Sequence, residues 1–220
     1  LYLKQIKLLK GVVSQAFLKG LDLLDFNSSK IPDFNDVNKK LKKLTSWQIK
    51  TVSNIAEPVY FFSCLSKKQF TSTCWLRTIK EIDYLEEPDM FHDVFGHIPL
   101  LSNHTYSDFF QKIGELSLEF IDDDFKIKQL QRLYWFTIEF GLVKNQDTFD
   151  IYGAGIISSE KEIKNVYSED SIKKPFNLSE ILKQDFIIDK VQPIYFFIDS
   201  FDQLLDCLLY TSPSPRDSIR

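Results

Sequence analysis

At 220 residues, 44% of them hydrophobic, the chain is long enough for one domain with a substantial core and too apolar to be disordered. Its 27 basic and 31 acidic residues are mixed along the sequence for a formal charge of −4, so no basic stripe exists to follow a phosphate backbone and nucleic acid is not an expected partner. Cys64, Cys74 and Cys207 are odd in number and form no CxxC pair; with no signal peptide in the sequence, they fit free thiols in the cytoplasm. Apolar runs such as 60–65 and 194–198 fall short of the roughly 20 residues that a membrane-spanning helix needs.

In chain order, Ile6, Leu9, Val13, Phe17, Leu21 and Leu24 recur at helical spacing, which predicts one amphipathic helix with Gly11 and Gly20 as tolerated interruptions. A second helix follows Pro32 and Asp33, with Phe34, Val37, Leu41 and Leu44 inward. Residues 57–66 read as a short helix and 69–79 as irregular or extended structure. Pro88 and Asp89 suit a helix start. Phe109, Ile113, Leu116 and Phe120 mark a helix after Ser107, and residues 127–143 another that is apolar on all sides and therefore central. Residues 150–157 read as a strand bent at Gly153 and Gly155. Ser159 and Glu162 have capping-box spacing, residues 186–188 and 193–197 are short strands, and a last helix turns Phe201, Leu204, Leu205 and Leu208 inward. The expected fold is α-dominant α+β: one catalytic domain of packed helices, residues 1–206, with a small β element. The sequence opens without Met inside a helical pattern, so its start reads as a cut within a longer chain. Residues 207–220 read as a disordered, candidate non-native tail.

Of three histidines, His92 and His97 fall in an apolar stretch between Pro88 and Pro99. On a straight α-helix a five-residue step turns through roughly 500°, about 140° from its start, so the two rings would not face one point. The helix is therefore expected to end between them, with Gly96 leaving helical geometry and Pro99 pushing Ile98 toward extended backbone. Glu139 is the lone charge between Arg132 and Lys144, and a bare carboxylate among aromatics requires a positive partner. Two imidazoles and a carboxylate would suit a non-heme iron site with open positions, or zinc. Core histidines and a Glu paired with a basic side chain satisfy the same pattern. His104, amid polar neighbours, reads as a surface residue.

Residues 87–101 (EPDMFHDVFGHIPLL), 134–142 (YWFTIEFGL) and 152–159 (YGAGIISS) resemble, in order and spacing, three signatures of the pterin-dependent aromatic amino acid hydroxylases. The looser similarity of residues 1–206, with WLR at 75–77 and YLE at 84–86, points toward the family's single-domain bacterial phenylalanine hydroxylases. The resemblance implies Fe(II) held by His92, His97 and Glu139, with tetrahydropterin and O₂ as co-substrates and hydroxylation of phenylalanine to tyrosine. It implies that Ser158 orients the first histidine and borders the substrate, and that Arg77 holds the substrate carboxylate. A salt bridge from Arg77 to Asp89 is the structural alternative. Pro88, Trp135 and Phe140 match the ring pocket. Phe61, with Tyr60 beside it, matches an aromatic that stacks on the pterin; Asp93 stands beside pterin and dioxygen, where a plain exposed carboxylate is the alternative; Tyr134 borders the same cavity. No regulatory domain or tetramerisation helix is present, so a monomer is implied. Tryptophan or another aromatic substrate, a zinc hydrolase with the same ligands, and a non-catalytic helical binding domain are the competing readings.

Overall fold

A computed structural model describes residues 1–209, apart from 55, 79, 80 and 82–86. The tail from 210 onward and the YLE segment at 84–86 lie outside the described residues. The apolar stripe at the N-terminus is two helices rather than one, α1 (Tyr2–Leu9) and α2 (Gln15–Leu24). Gly11 sits at φ +78°, a conformation that ends a helix at little cost. Val13 then pairs in parallel with Ile151, and Ser14 caps α2 by accepting the Phe17 N–H. The stripe nonetheless stays in phase, because Leu9, Val13, Phe17, Leu21 and Leu24 are all buried.

Helix α3 (Phe34–Thr45) starts at Asp33, whose carboxylate accepts from the N–H groups of Asn35 and Asp36. Strand β1 (Gln48–Thr51), which no apolar alternation announces, pairs in parallel with β2 (Gln69–Ser72); α4 (Pro58–Ser66) connects them. The extended segment predicted for 69–79 is thus a strand only to Ser72. Helix α5 (His104–Glu119) begins before its apolar stripe does, because Asn103 accepts the Tyr106 N–H as its cap; His104 is exposed, as expected.

Helix α6 (Asp124–Tyr134) does not continue to Val143. It widens into a π-helix over Trp135–Glu139 and gives way to β3 (Gly141–Asn145). The expected strand over 150–157 also divides, into β4 (Thr148–Ile151) and a turn of helix, α7 (Ala154–Ile157). Close approach is the reason: a Cβ on Gly153 would lie 2.4 Å from the Glu139 carbonyl oxygen, so the chain turns beneath Glu139 instead of extending past it. Helix α8 (Glu160–Val166) follows, capped by Ser159, and then β5 (Ile172–Pro175), α9 (Leu178–Ile181), β6 (Ile194–Ile198) and α10 (Asp202–Leu209). Strands β4, β3, β6 and β5 form one sheet in that order, parallel except for β3 with β4. Residues 186–188, expected as a strand, form a loop whose Phe186 ring stacks on Trp135 at 4.4 Å and 17°. The architecture is the expected α-dominant α+β domain. Among the described residues no helix is long and apolar enough to cross a membrane.

Beneath the 186–192 segment lies a buried polar group that the capping-box spacing does not foresee. The Ser159 hydroxyl accepts the Glu162 N–H (3.3 Å), but the Glu162 carboxylate turns inward, accepting from the Gln192 N–H (3.1 Å) and the Tyr195 hydroxyl. Burial pushes its pKa up to about 7, against those two bonds. Because the folded value exceeds the 4.5 of an ordinary Glu, the protonated form favours the native state. This contribution is fully present below pH 4.5 and is lost as pH rises to about 7. Glu162→Gln is therefore expected to abolish that part of the stability loss, so the difference between variant and wild-type urea midpoints should grow in the variant's favour from pH 5 to pH 8. A pH-independent difference contradicts the assignment.

Candidate metal centre

The helix that carries both histidines neither ends nor turns at Gly96. Residues Phe91–His97 form a π-helix, and Ile98 remains helical at φ −63°, ψ −38°. Both the expected break at Gly96 and the expected extended Ile98 are corrected by this geometry. A π-helix bonds residue i to i+5, so positions five apart lie one above the other, and the 140° mismatch of an α-helix does not arise. Pro99 has no N–H to extend the ladder; the helix closes with Ile98 donating to the Val94 carbonyl at 3.3 Å. The role of Gly96 is proximity, since a Cβ there would come within 3.1 Å of Ala154. Asp89 starts the helix by accepting the His92 N–H (2.9 Å).

The second π-helix repeats the device. The Phe140 N–H donates to the Trp135 carbonyl, an i to i+5 bond of 2.9 Å, and Glu139 comes to lie one wide turn beyond Tyr134. The two helices deliver three side chains to one point. The Nε2 atoms of His92 and His97 are 3.2 Å apart. His97 Nε2 is 3.2 Å from Glu139 Oε1, and His92 Nε2 is 3.5 Å from Glu139 Oε2. One donor atom from each lies within 4.8 Å of the others.

Protons are assigned by the surroundings. The Ser158 hydroxyl donates to the Ala154 carbonyl (2.9 Å), so its lone pair must accept from His92 Nδ1, 2.8 Å away. That tautomer leaves Nε2 without a hydrogen and aims its lone pair at His97 and Glu139. Burial pushes the His92 pKa down to about 4, so the ring is neutral at neutral pH. Burial also works against a charged Glu139, yet His97, His92 and the Tyr134 hydroxyl hold its carboxyl below the usual range. Its ion pairs among the described residues are with these two histidines. Two imidazoles and a carboxylate that bring one ligand atom each to a common point describe a cation site. Two imidazoles and a carboxylate fit iron(II) or zinc.

Two clefts meet at this point. One of about 500 Å³ is lined by Phe61, Thr73, Asp93, His97 and Tyr134 among others, and one of about 240 Å³ by Arg77, Phe140 and Ser158; Pro88, His92, Trp135, Glu139 and Ile188 line both. An apolar hollow of about 420 Å³ bounded by Tyr2, Phe26 and Phe95 holds none of the three donors. Phe61 rather than Tyr60 faces the large cleft; Tyr60 is 42% exposed, with Lys50 over its ring. Asp93 is not the exposed carboxylate of the alternative reading. It is buried, accepts from the Thr73 N–H (2.9 Å) and hydroxyl (3.2 Å), and is pushed up to about 6 by burial. Arg77 does form the salt bridge to Asp89, through Nε (3.0 Å) and Nη2 (2.8 Å), while Nη1 donates to the Ser158 carbonyl (3.2 Å). Sequence reasoning passed over Phe70, whose ring lies 4.7 Å from that of His97, and Thr73 and Ile188, none of which carries a local signal.

Comparison with known proteins agrees with this geometry. The chain is 41% identical over 209 residues to a phenylalanine-4-hydroxylase of Chromobacterium violaceum, covering 94% of this chain and 69% of that one. It superposes with a TM-score of 0.91 on phenylalanine hydroxylase from Legionella pneumophila, at 36% identity over 98% of this chain and 91% of that one. A Chromobacterium violaceum phenylalanine hydroxylase with bound iron(III) and oxidized cofactor 7,8-dihydrobiopterin matches with a TM-score of 0.89 and 40% identity, over 96% and 78% of the two chains. With residues 1–211 matched by the family model for biopterin-dependent aromatic amino acid hydroxylases, and with the donor set in place, the chain belongs to that family.

Proposed function

We propose that the chain hydroxylates phenylalanine to tyrosine, using iron(II), a tetrahydropterin and O₂. The observation that carries this reading is the convergence of one potential ligand atom from each of His92, His97 and Glu139 at the junction of two clefts. His92, His97 and Glu139 would hold the iron on one face, leaving positions open. Bound there, iron(II) supplies the activation of O₂, whose atoms go one to the substrate ring and one to the pterin.

The chain's own residues supply alignment and a dry site. In the large cleft Phe61 offers an aromatic face to the flat pterin, bordered by Asp93 and Tyr134. In the small cleft Pro88, Trp135 and Phe140 enclose the substrate ring. Three of the five Arg77 N–H groups are occupied by Asp89 and Ser158, which leaves two for a substrate carboxylate. Ser158 holds the His92 tautomer and borders the substrate cleft. Neither the histidines nor Glu139 acts as acid or base. A cytoplasmic monomer is part of the proposal; the unpaired state of Cys64, Cys74 and Cys207 supports a reducing compartment.

Tyrosine formation that requires iron, pterin and O₂ together tests the reading; parallel assays with tryptophan and tyrosine separate the other ring substrates, and turnover without O₂ or pterin would instead mark a zinc hydrolase. His92→Ala, His97→Ala and Glu139→Ala should each lose iron in metal analysis with the helical circular dichroism retained, and full iron content in all three would sink the assignment. Ser158→Ala frees the His92 ring and should weaken iron binding by about 10- to 100-fold, read by chelator competition. Arg77→Ala strands a fully buried Asp89 and should cost on the order of 3–5 kcal/mol of stability. Arg77→Lys keeps the charge without the fork and should raise the KM for phenylalanine; an unaltered KM argues against carboxylate binding at Arg77.

A further inference from the structure

Gln192 lines neither cleft, yet each of its polar groups is tied to something that shapes them. It is 1% exposed. Its N–H donates to Glu162 (3.1 Å) and its carbonyl accepts from Asn165 Nδ2 (2.7 Å), so α8 fixes its backbone. Its side-chain Oε1 accepts the indole N–H of Trp135 (3.0 Å), and Nε2 donates to the carbonyls of Ile187 (2.6 Å) and Lys190 (3.1 Å). The amide can point only one way. An indole N–H cannot accept and carbonyls cannot donate, so exchanging nitrogen and oxygen would set like against like on three sides.

We propose that Gln192 is a positioning residue that sets ring selectivity in the small cleft by fixing both the Trp135 indole and the 187–190 segment. This rests on the reading of that cleft as the site of an aromatic amino acid. Trp135 is stacked against Phe186 on one contact and tilted against Phe140 at 4.7 Å on another. The Gln192 bond pins the remaining edge. Ile188, which lines both clefts, lies between the two carbonyls that Nε2 holds. One amide thus governs two walls. An apolar cleft excludes a larger ring only as far as its walls resist moving, and these walls are held by hydrogen bonds at a distance from the ring.

The test uses Gln192→Met, close in volume and without the amide, in the purified iron-loaded protein. Calorimetric affinities for L-phenylalanine and L-tryptophan, and tyrosine formed per tetrahydropterin oxidised, are both ratios that a partial loss of folded protein leaves unmoved. The phenylalanine-to-tryptophan affinity ratio is expected to fall about three- to tenfold, and tyrosine yield per pterin to drop. In a Trp135→Phe background, which has no N–H to hold, the same substitution acts through the 187–190 carbonyls alone and should change both ratios by clearly less. Should the Met variant fail to fold, indole N–H exchange in the wild type decides. Trp135, identified by its missing signal in Trp135→Phe, should be protected relative to Trp75, which is 38% exposed. Unchanged ratios, equal changes in both backgrounds, or exchange at Trp135 as fast as at Trp75 overturn the proposal. A wild type that binds phenylalanine and makes no tyrosine would overturn only the reading of the reaction.

Discussion

Three lone-pair donors are forced together in a poorly hydrated site, and the rest of the structure follows from that constraint. Two imidazole nitrogens at 3.2 Å and a carboxylate behind aromatic rings crowd polar groups where little water reaches them. Such an arrangement persists only where surrounding structure over-determines it. The surrounding devices are identifiable. Ser158 removes the proton from the converging edge of His92. Gly153 lets the backbone after β4 press against the Glu139 carbonyl, and Gly155 lies 3.1 Å from the same oxygen at its would-be Cβ. These contacts fix the Glu139 backbone from below.

The π-helices are the second consequence. A wide helical turn has poorer packing along its own axis than an α-turn and occurs mostly as single turns at functional sites. Here it appears twice, under both ligand-bearing segments. An α-helix aligns i with i+4; a π-turn aligns i with i+5, the spacing of His92 and His97 and of Tyr134 and Glu139. The packing that stabilises the first of these turns is partly aromatic. Phe91 and Phe95, four apart, stack at 4.7 Å and 11° on the face away from the ligands, and Phe95 meets Tyr2 and Phe17 edge-on.

This also explains which parts were legible beforehand. The pattern of His92, His97 and Glu139 pointed to a donor set while leaving core histidines and a paired Glu open, and binary patterning located α3, α4, α5 and α10, because those elements owe their form to one buried stripe each. The route by which the two rings converge was misread. A helix with a five-residue repeat looks discontinuous when only α geometry is considered, and Gly96 and Pro99 offered a plausible break. Elements made by tertiary contact were the least visible. Strand β1 is four residues long, and β3 is hidden in an apolar run that looks helical until Gly141 meets Tyr152. Gln192 and Thr73 carry no local signature, since their importance lies in what they bond to across 57 and 20 residues of sequence.

A closed circuit of hydrogen bonds joins the metal point to the small cleft. Asp89 accepts from the Arg77 side chain and from the N–H groups of Arg77 and His92. Arg77 in turn donates to the Ser158 carbonyl, and the Ser158 hydroxyl accepts from His92. Each of the four residues therefore holds two others, and the ion pair at its centre is nearly dry, with side chains 4% and 0% exposed. A buried pair of this kind contributes little net stability over apolar packing, but it imposes one geometry because any shift leaves a charge uncompensated. Movement of the Arg77 fork would be felt at the His92 ring through Ser158, two bonds away. The arrangement thus makes the shape of the small cleft and the orientation of the His92 ring parts of a single rigid unit, which separate ion-pair and serine contacts would not do.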